Sequence, residues 1–138
     1  SPKLYLSDTG LLCALLNIRD AGALAESPWA GAVWETFVFA QLRHRERRAG
    51  RAGSLFFWRD RTREVDFVVD AGGRLELFEA KWTELPGRAD AVNLTFMRSA
   101  VGERRVRASS IVCRAPNGYP MSDGVRVVPV ADLSQERI

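Results

Sequence analysis

The segment on which the fold depends is EVDFVVDAGGRLELFEAK, residues 64–81. Two largely apolar runs flank the pair Gly72-Gly73, and both glycines tolerate the positive φ that a two-residue turn demands. The segment therefore predicts a β-hairpin. If the residues on either side of the glycine pair face each other, the numbers of paired residues sum to 145, and a four-residue loop gives the same register.

This register brings acidic side chains together. It places Asp66 opposite Glu79 and Glu64 opposite Lys81, and because side chains alternate along a strand, Asp66, Glu79 and Lys81 share one face. Directly opposed carboxylates repel, so two of them within apolar strands need a compensating cation. Mg²⁺ or Mn²⁺ would supply one, since these ions prefer oxygen ligands. The alternative is a charge ladder in which Lys81 neutralises the acids.

A long helix is predicted upstream, over residues 28–48, with Ser27 as its N-cap. Glu35 lies on the same stripe of this helix as Val38 and Leu42, on the side that faces the core. Buried carboxylates are rare unless they are paired or bound to metal. A helix packed on the hairpin would present Glu35 to the same site, whereas a position at the edge of the stripe would let the carboxylate reach solvent.

The remaining pattern predicts further strands and helices around the hairpin. A short helix runs through Leu11–Leu16, and a second amphipathic helix is predicted over residues 86–100. Strands are predicted at residues 3–6, 55–59, 108–114 and 125–130. The order of helix, β-meander, helix and two strands predicts an α/β fold with a mixed central sheet flanked by helices.

The composition is that of one globular domain. With 138 residues and 46% apolar side chains, the chain can bury a core of its own. Arginine supplies nearly all the positive charge, which suits contact with phosphate but also follows from an arginine-rich genome. Cys13 and Cys113 lack metal-ligand spacing and are interpreted as core thiols. No apolar stretch is long enough for a membrane span, and no signal peptide opens the chain, so we expect no membrane partner and a cytoplasmic location.

Two resemblances to known families follow from these residues. Asp66, followed after twelve residues by Glu79-Ala80-Lys81 and preceded by the helical Glu35, resembles the PD-(D/E)XK nuclease superfamily, with Val65 where that label has Pro. A second resemblance covers almost the whole chain, to the C-terminal domain of unknown function attached to prokaryotic AAA-type ATPases. It rests on LYLSDTGL at 4–11, GAVWETFV at 31–38, FWR at 57–59 and EVDFV at 64–68.

Together, the two resemblances imply a restriction-endonuclease-like fold over residues 28–138. They also imply that residues 1–27 are the end of a preceding helical, winged-helix-like segment. They further imply a catalytic site, made of Glu35, Asp66, Glu79 and Lys81. Asp66, Glu79, the backbone carbonyl of Ala80 and Glu35 would bind Mg²⁺ or Mn²⁺. Lys81 would orient the attacking water and neutralise charge on the phosphate.

The implied function is a nucleic-acid phosphodiesterase that acts with an N-terminal ATPase domain of the same polypeptide. The chain itself has no GxxxxGK[ST] phosphate loop, so ATP hydrolysis would belong to that other domain. Two alternatives use the same fold. One is a non-catalytic domain that docks nucleic acid or protein, and the other is a structural domain that packs on the ATPase.

Overall fold

A computed structural model describes residues 2–134 and shows helices on both faces of a mixed sheet. The α-helices of this part of the chain are α1 (Thr9–Leu15), α2 (Ala21–Glu26), α3 (Ala30–Arg48) and α4 (Val92–Val101). Its strands are β1 (Leu55–Arg59), β2 (Glu64–Asp70), β3 (Leu75–Ala80), β4 (Val106–Cys113), β5 (Tyr119–Pro120) and β6 (Val125–Pro129). They form one six-stranded sheet in the order β1-β2-β3-β4-β6-β5. Within residues 2–134, no helix combines the length and the apolar character of a membrane span.

The predicted hairpin is confirmed. Strands β2 and β3 pair antiparallel from Asp70 with Leu75 to Phe67 with Phe78, and every pair sums to 145. Both turn glycines have positive φ, as the two-residue turn requires. Strand β3 then pairs in parallel with β4, and β4 in parallel with β6, so the hairpin joins the antiparallel and parallel halves of the sheet.

Helices α3 and α4 cover opposite faces of the sheet, and each face has its own apolar cluster. On the α3 side, Val38 and Leu42 pack against Phe67 and Phe78. On the α4 side, the buried residues include Leu94 and Met97 of the helix with Val65, Val68 and Leu77 of the sheet. The arrangement is a three-layer α/β/α sandwich, in agreement with the predicted mixed sheet flanked by helices.

A β-bulge interrupts strand β2 at Asp66. Phe56 of β1 pairs with Val68 and Trp58 with Val65, so Phe57 alone lies opposite two residues, Asp66 and Phe67. Val65 consequently packs on the α4 side, although Phe67, two residues later, packs on the α3 side. In a regular strand these two side chains would share a face. The extra residue leaves Asp66 and Phe67 lining the same cavity beside α3.

Two predictions about the amino-terminal part need correction. The strand expected at residues 3–6 is wrong, because this segment is irregular and joins the fold through its side chains, with Tyr5 stacked on Phe39. The long helix begins at Ala30 rather than at residue 28. Ser27 caps a preceding turn instead, since its hydroxyl accepts from the Trp29 amide and its carbonyl from the Ala30 amide. The predicted boundary at residues 27/28 remains a prediction.

The other predicted elements need only small changes. The helix expected at 86–100 is a 3₁₀ turn, Arg88–Ala91, followed by α4. The strand expected at 108–114 begins earlier, at Val106, and β5 adds a two-residue edge strand that was not predicted. The interpretation of Cys113 as a buried free thiol is confirmed, whereas Cys13 is only half-buried.

Trp34 connects α3 to the parallel part of the sheet. Its indole N–H donates to the carbonyl of Val112, 3.1 Å away, and the side chain is buried. We expect Trp34→Phe to lower the free energy of unfolding by about 1 kcal/mol, because the indole hydrogen bond is lost while the Val112 carbonyl keeps the amide of Lys81 as a donor. Urea unfolding measures the change. The matched control is Trp29→Phe, at a side chain that is 54% exposed, where the change should stay within about 0.5 kcal/mol. Equal effects of the two substitutions would contradict the anchoring role.

Candidate metal centre

The candidate site lies where strands β2 and β3 separate. Backbone pairing ends at Phe67 and Phe78, so the predicted backbone pairs Asp66–Glu79 and Glu64–Lys81 are not part of the ladder. Instead, the Ala80 amide donates to Asp66 Oδ2 at 2.9 Å, and the Asp66 amide donates to Glu79 Oε1 at 3.3 Å. Two carboxylates thus satisfy backbone amides that would otherwise lack partners at the end of the ladder.

The carbonyl of Ala80 faces the same opening. On the other side of β3, the Lys81 amide donates to the carbonyl of Val112 in β4. Successive residues of an extended strand direct their backbone groups to alternate sides, so the amide and carbonyl of Ala80 both face β2. The amide is bonded to Asp66, and the carbonyl stands at the separation of the two strands.

Three carboxylates from two elements meet at this point. Oxygen atoms of Glu35, Glu64 and Asp66 all lie within 4.8 Å of one another. Glu35 comes from the second turn of α3, whereas Glu64 and Asp66 belong to the first residues of β2. The bulge makes this possible, because it turns Asp66 towards the α3 side of the sheet. Such a group of oxygen atoms is a set of ligands for a hard divalent cation.

The ammonium group of Lys3 lies among the three carboxylates. Its Nζ atom is 3.0 Å from Glu35 Oε1 and 3.8 Å from Asp66 Oδ1, and it also contacts Glu64 Oε1. These contacts raise the pKa of Lys3, because the hydrogen bonds with Glu64 and Glu35 outweigh the opposing effect of burial. Lys3 therefore remains charged and acts as a cation for the acidic cluster.

Tyr5 completes the contacts of Glu35. Its hydroxyl donates to Glu35 Oε1 at 2.7 Å, and its ring stacks on Phe39 one turn further along α3. Burial, followed by the hydrogen bond and charge of Glu35, raises the pKa of the phenol, so Tyr5 remains a neutral donor. The carboxylate of Glu35 is therefore fixed by two donors from one irregular segment, Lys3 and Tyr5.

Glu79 and Lys81 form the second part of the site. The Glu79 side chain is buried, and Lys81 Nζ lies 3.6 Å from Glu79 Oε2 with the Lys81 side chain 37% exposed. Burial, and then the charge of Asp66, raises the pKa of Glu79 to about 8. The Lys81 ammonium thus lies between the buried Glu79 carboxyl group and solvent.

The pKa values of the other two acids on the strands, Asp66 and Glu64, are shifted in opposite directions. Burial, together with the charge of Glu35, raises the pKa of Asp66 despite the Ala80 amide. Burial also acts against ionisation of Glu64, but hydrogen bonds from Lys3 and Arg59 lower its pKa overall. The positive charges around Asp66 therefore do not offset its burial and the charge of Glu35, and a cation bound beside it would favour its ionised form.

The residues present fit a divalent metal ion. The donors are carboxylate and carbonyl oxygens without thiolate or imidazole, as Mg²⁺ and Mn²⁺ prefer. The Lys3 ammonium already occupies a position where one cation contacts three carboxylates. A divalent ion at that position would be shared by the carboxylates of Glu35, Glu64 and Asp66.

The structure places the four predicted site residues at one location but in two groups. Glu35 and Asp66 belong to the acidic cluster, while Glu79 contacts Asp66 through the backbone amide and Lys81 through its side chain. Sequence reasoning missed Glu64, Lys3 and Tyr5 as site residues. One signal was available for Lys3, because the sequence contains only two lysines, Lys3 and Lys81, and both lie at the acidic site.

Comparison with known proteins identifies the family. Residues 30–133 match the domain of unknown function DUF4143. The uncharacterized proteins Mb2031c of Mycobacterium bovis and Rv2008c of Mycobacterium tuberculosis are each 38% identical to this chain over 134 residues, 96% of its length. The chain spans only 28% of the length of these relatives. No solved structure matches it significantly. Since the match covers well over half of the chain, this protein belongs to the DUF4143 family.

Proposed function

We propose that this chain is a metal-dependent phosphodiesterase module that acts on nucleic acid. The observation that carries the proposal is the position of four residues where two sheet strands separate: Glu35 and Asp66 share one acidic cluster, Glu79 accepts from the Asp66 amide, and Lys81 lies beside Glu79. Buried acids with raised pKa values in such a place are more typical of a functional site than of a structural one.

Each residue has a distinct role in the proposed site. Asp66, Glu79, Glu35 and the carbonyl of Ala80 would hold Mg²⁺ or Mn²⁺, an ion that lowers the pKa of bound water and neutralises phosphate charge. Glu79 orients the strand end by accepting from the Asp66 amide. Lys81, anchored by Glu79 and half-exposed, directs its positive charge to the entrance, where it would orient water and stabilise a phosphate.

Nucleic acid is the proposed substrate because positive and aromatic side chains surround the acids. Arg59 and Arg61 are exposed at the turn between β1 and β2, where they can contact a phosphate backbone. Phe56 and Phe57 of the edge strand β1 are also exposed, and both line the cavity that reaches Asp66. Exposed aromatic rings beside cations suit the stacking of unpaired bases.

The fold and the partner domain belong to the same proposal. The mixed sheet between helices, with the acids on β2, β3 and α3, supports a restriction-endonuclease-like fold. The residues would then have the roles that PD-(D/E)XK nucleases give to their acidic metal ligands and their lysine. The mycobacterial relatives are more than three times as long as this chain, which leaves room for an N-terminal ATPase domain in the same polypeptide.

A docking domain without catalysis is the second candidate, and Lys3 is the observation in its favour. The Lys3 ammonium already neutralises part of the acidic cluster from within the chain. A site balanced in this way could serve stability alone, with the nuclease-like fold retained as a scaffold for nucleic acid or protein.

Two substitutions test the proposed chemistry. Asp66→Asn should weaken Mn²⁺ binding by at least about tenfold, because one charged ligand is lost while an oxygen remains to accept from the Ala80 amide. Lys81→Ala should leave Mn²⁺ bound but slow cleavage by about a hundredfold or more, because charge stabilisation at the phosphate is lost. Calorimetry measures binding, and gel assays measure cleavage of single-stranded, double-stranded and branched DNA and RNA.

The two candidates give different results in these assays. Arg19→Gln, at an exposed position away from the site, is the control and should leave binding and cleavage unchanged. A wild-type chain that neither binds Mn²⁺ nor cuts any of these substrates, even when joined to an ATPase domain, would support the docking domain. Cleavage that is unaffected by Lys81→Ala would show that the catalytic assignment is wrong.

A further inference from the structure

A second charged site lies at the other end of α3, away from the acidic cluster. A cavity of about 340 Å³ opens there, within the range of about 300–1,000 Å³ that is typical of small-molecule sites. Its charged lining consists of Arg45, Arg48, Arg51, Arg107 and Glu76. Arg45 and Arg48 come from the last turns of α3, while Glu76 and Arg107 come from β3 and β4.

Two of these arginines neutralise buried acids. Glu46, fully buried beneath the cavity, accepts from Arg45 at 2.9 Å and from Arg51 at 2.7 and 3.0 Å. Arg45 also bonds to Glu76, and its guanidinium lies 5.4 Å from the ring centre of Phe78. Arg45 is thus held in place from three sides, so its position in the cavity wall is fixed.

The other two arginines carry charge that these acids do not require. Arg48 has no acidic partner within residues 2–134. Arg107 is 50% exposed and only approaches Glu76, with its Nη1 atom 3.8 Å from Oε1. Within residues 2–134, Arg48 and Arg107 therefore supply a surplus of positive charge at the cavity, beyond the contacts that neutralise Glu46 and Glu76. The carbonyl end of α3 would repel an anion here, but this surplus opposes that effect.

We infer that this cavity binds a phosphate group, held by Arg48 and Arg107. A planar guanidinium presents two parallel N–H donors, which match the oxygens of a phosphate better than an ammonium does. The two positive charges of Arg48 and Arg107 match a phosphate monoester, which carries about −1.5 to −2 at neutral pH. A row of phosphodiesters, as in a nucleic-acid strand, offers the same chemistry with one charge per group. This inference does not depend on the proposed metal site.

The test is phosphate binding without divalent metal. Inorganic phosphate is titrated into the protein in a buffer that contains EDTA. Chloride is lowered as phosphate is added, so that the ionic strength stays constant, and the midpoint of thermal unfolding is measured at each concentration. We expect a saturable rise in the midpoint, as for any ligand that binds the folded state. The double variant Arg48→Gln and Arg107→Gln should bind phosphate at least about tenfold more weakly, since charge-assisted bonds are lost. Both substitutions leave the Arg45 and Arg51 contacts of Glu46 in place.

A second titration and a control complete the experiment. An oligothymidylate without terminal phosphates, used in the same buffer, distinguishes the two sources of phosphate. If only its binding depends on the two arginines, the ligand is a nucleic-acid backbone, and if only inorganic phosphate does, it is a small phosphorylated molecule. Arg19→Gln should bind both probes as the wild type does. Equal affinities of the wild type and the double variant for both probes, or no binding by the wild type, would overturn the inference.

Discussion

Replacing Lys3 with alanine is expected to lower the free energy of unfolding by about 2–3 kcal/mol in metal-free buffer. The loss leaves Glu35, Glu64 and Asp66 with their oxygen atoms within 4.8 Å of one another and without the cation between them. The figure is below that for a fully buried ion pair, because water partly screens these side chains. If the centre is a metal site, millimolar Mn²⁺ should restore the stability of the variant.

The same substitution should also change metal affinity. Mn²⁺ should bind Lys3→Ala at least about tenfold more tightly than the wild type, since the ion no longer displaces an ammonium from its ligands. The control is Arg59→Ala, which removes a cation that contacts Glu64 from an exposed position and should cost less than about 1 kcal/mol. Chemical unfolding with and without Mn²⁺, together with calorimetry, measures both effects. Unchanged stability and unchanged Mn²⁺ affinity in Lys3→Ala would show that Lys3 does not balance the acids.

Glu46→Ala is expected to lower the free energy of unfolding by about 3 kcal/mol at pH 7. Glu46 is 2% exposed and accepts from Arg45, Arg51 and Ser54, so its removal takes away an acceptor that three side chains share and the negative charge that two arginines face. Arg51 can turn to solvent, which keeps the cost at the lower end of the range for buried ion pairs. The matched control is Glu84→Ala, at an exposed acid 4.0 Å from Arg114, where about 0.5 kcal/mol or less is expected.

The cost of Glu46→Ala should depend on pH in a defined direction. Burial acts to raise the pKa of Glu46, but the hydrogen bond from Arg51 and the charge of Arg45 lower it below the ordinary value of 4.5. A lowered pKa in the folded state stabilises the protein above pH 4.5, and this contribution is lost as the pH falls through the folded pKa. The difference between wild type and variant should therefore be full at pH 7 and should shrink below pH 4.5. A difference that is constant from pH 7 to pH 3 would contradict an ionised Glu46.

The hairpin and the layers could be predicted because their causes are local. The Gly72-Gly73 turn determines which residues of β2 and β3 face each other, and the apolar pattern determines which faces are buried. The bulge at Asp66 could not be predicted in the same way. It arises from the pairing of β2 with β1, and the residues around it include neither glycine nor any other residue typical of a bulge.

The candidate site was predicted only in part, because only some of its contacts follow from local sequence patterns. The register placed Asp66, Glu79 and Lys81 on one face, and helical periodicity placed Glu35 on the core-directed side of its helix, while its role as their partner came from the family resemblance. The contribution of Lys3 depends on an irregular segment more than sixty residues away from Glu64 in the chain. Such contacts follow from tertiary packing, here the stacking of Tyr5 on Phe39, and no local sequence pattern predicts them.

Helix α3 carries an acid for each charged site, Glu35 for the acidic cluster and Glu46 beneath the arginine cavity. Eleven residues at about 3.6 per turn make slightly more than three turns, so the two acids lie within about 20° of the same side of the helix and about 16 Å apart along its axis. One residue inserted between them would rotate one end of the helix by about 100° relative to the other. Homologous chains that keep both sites can therefore vary in length within this part of α3 only by nearly whole numbers of turns.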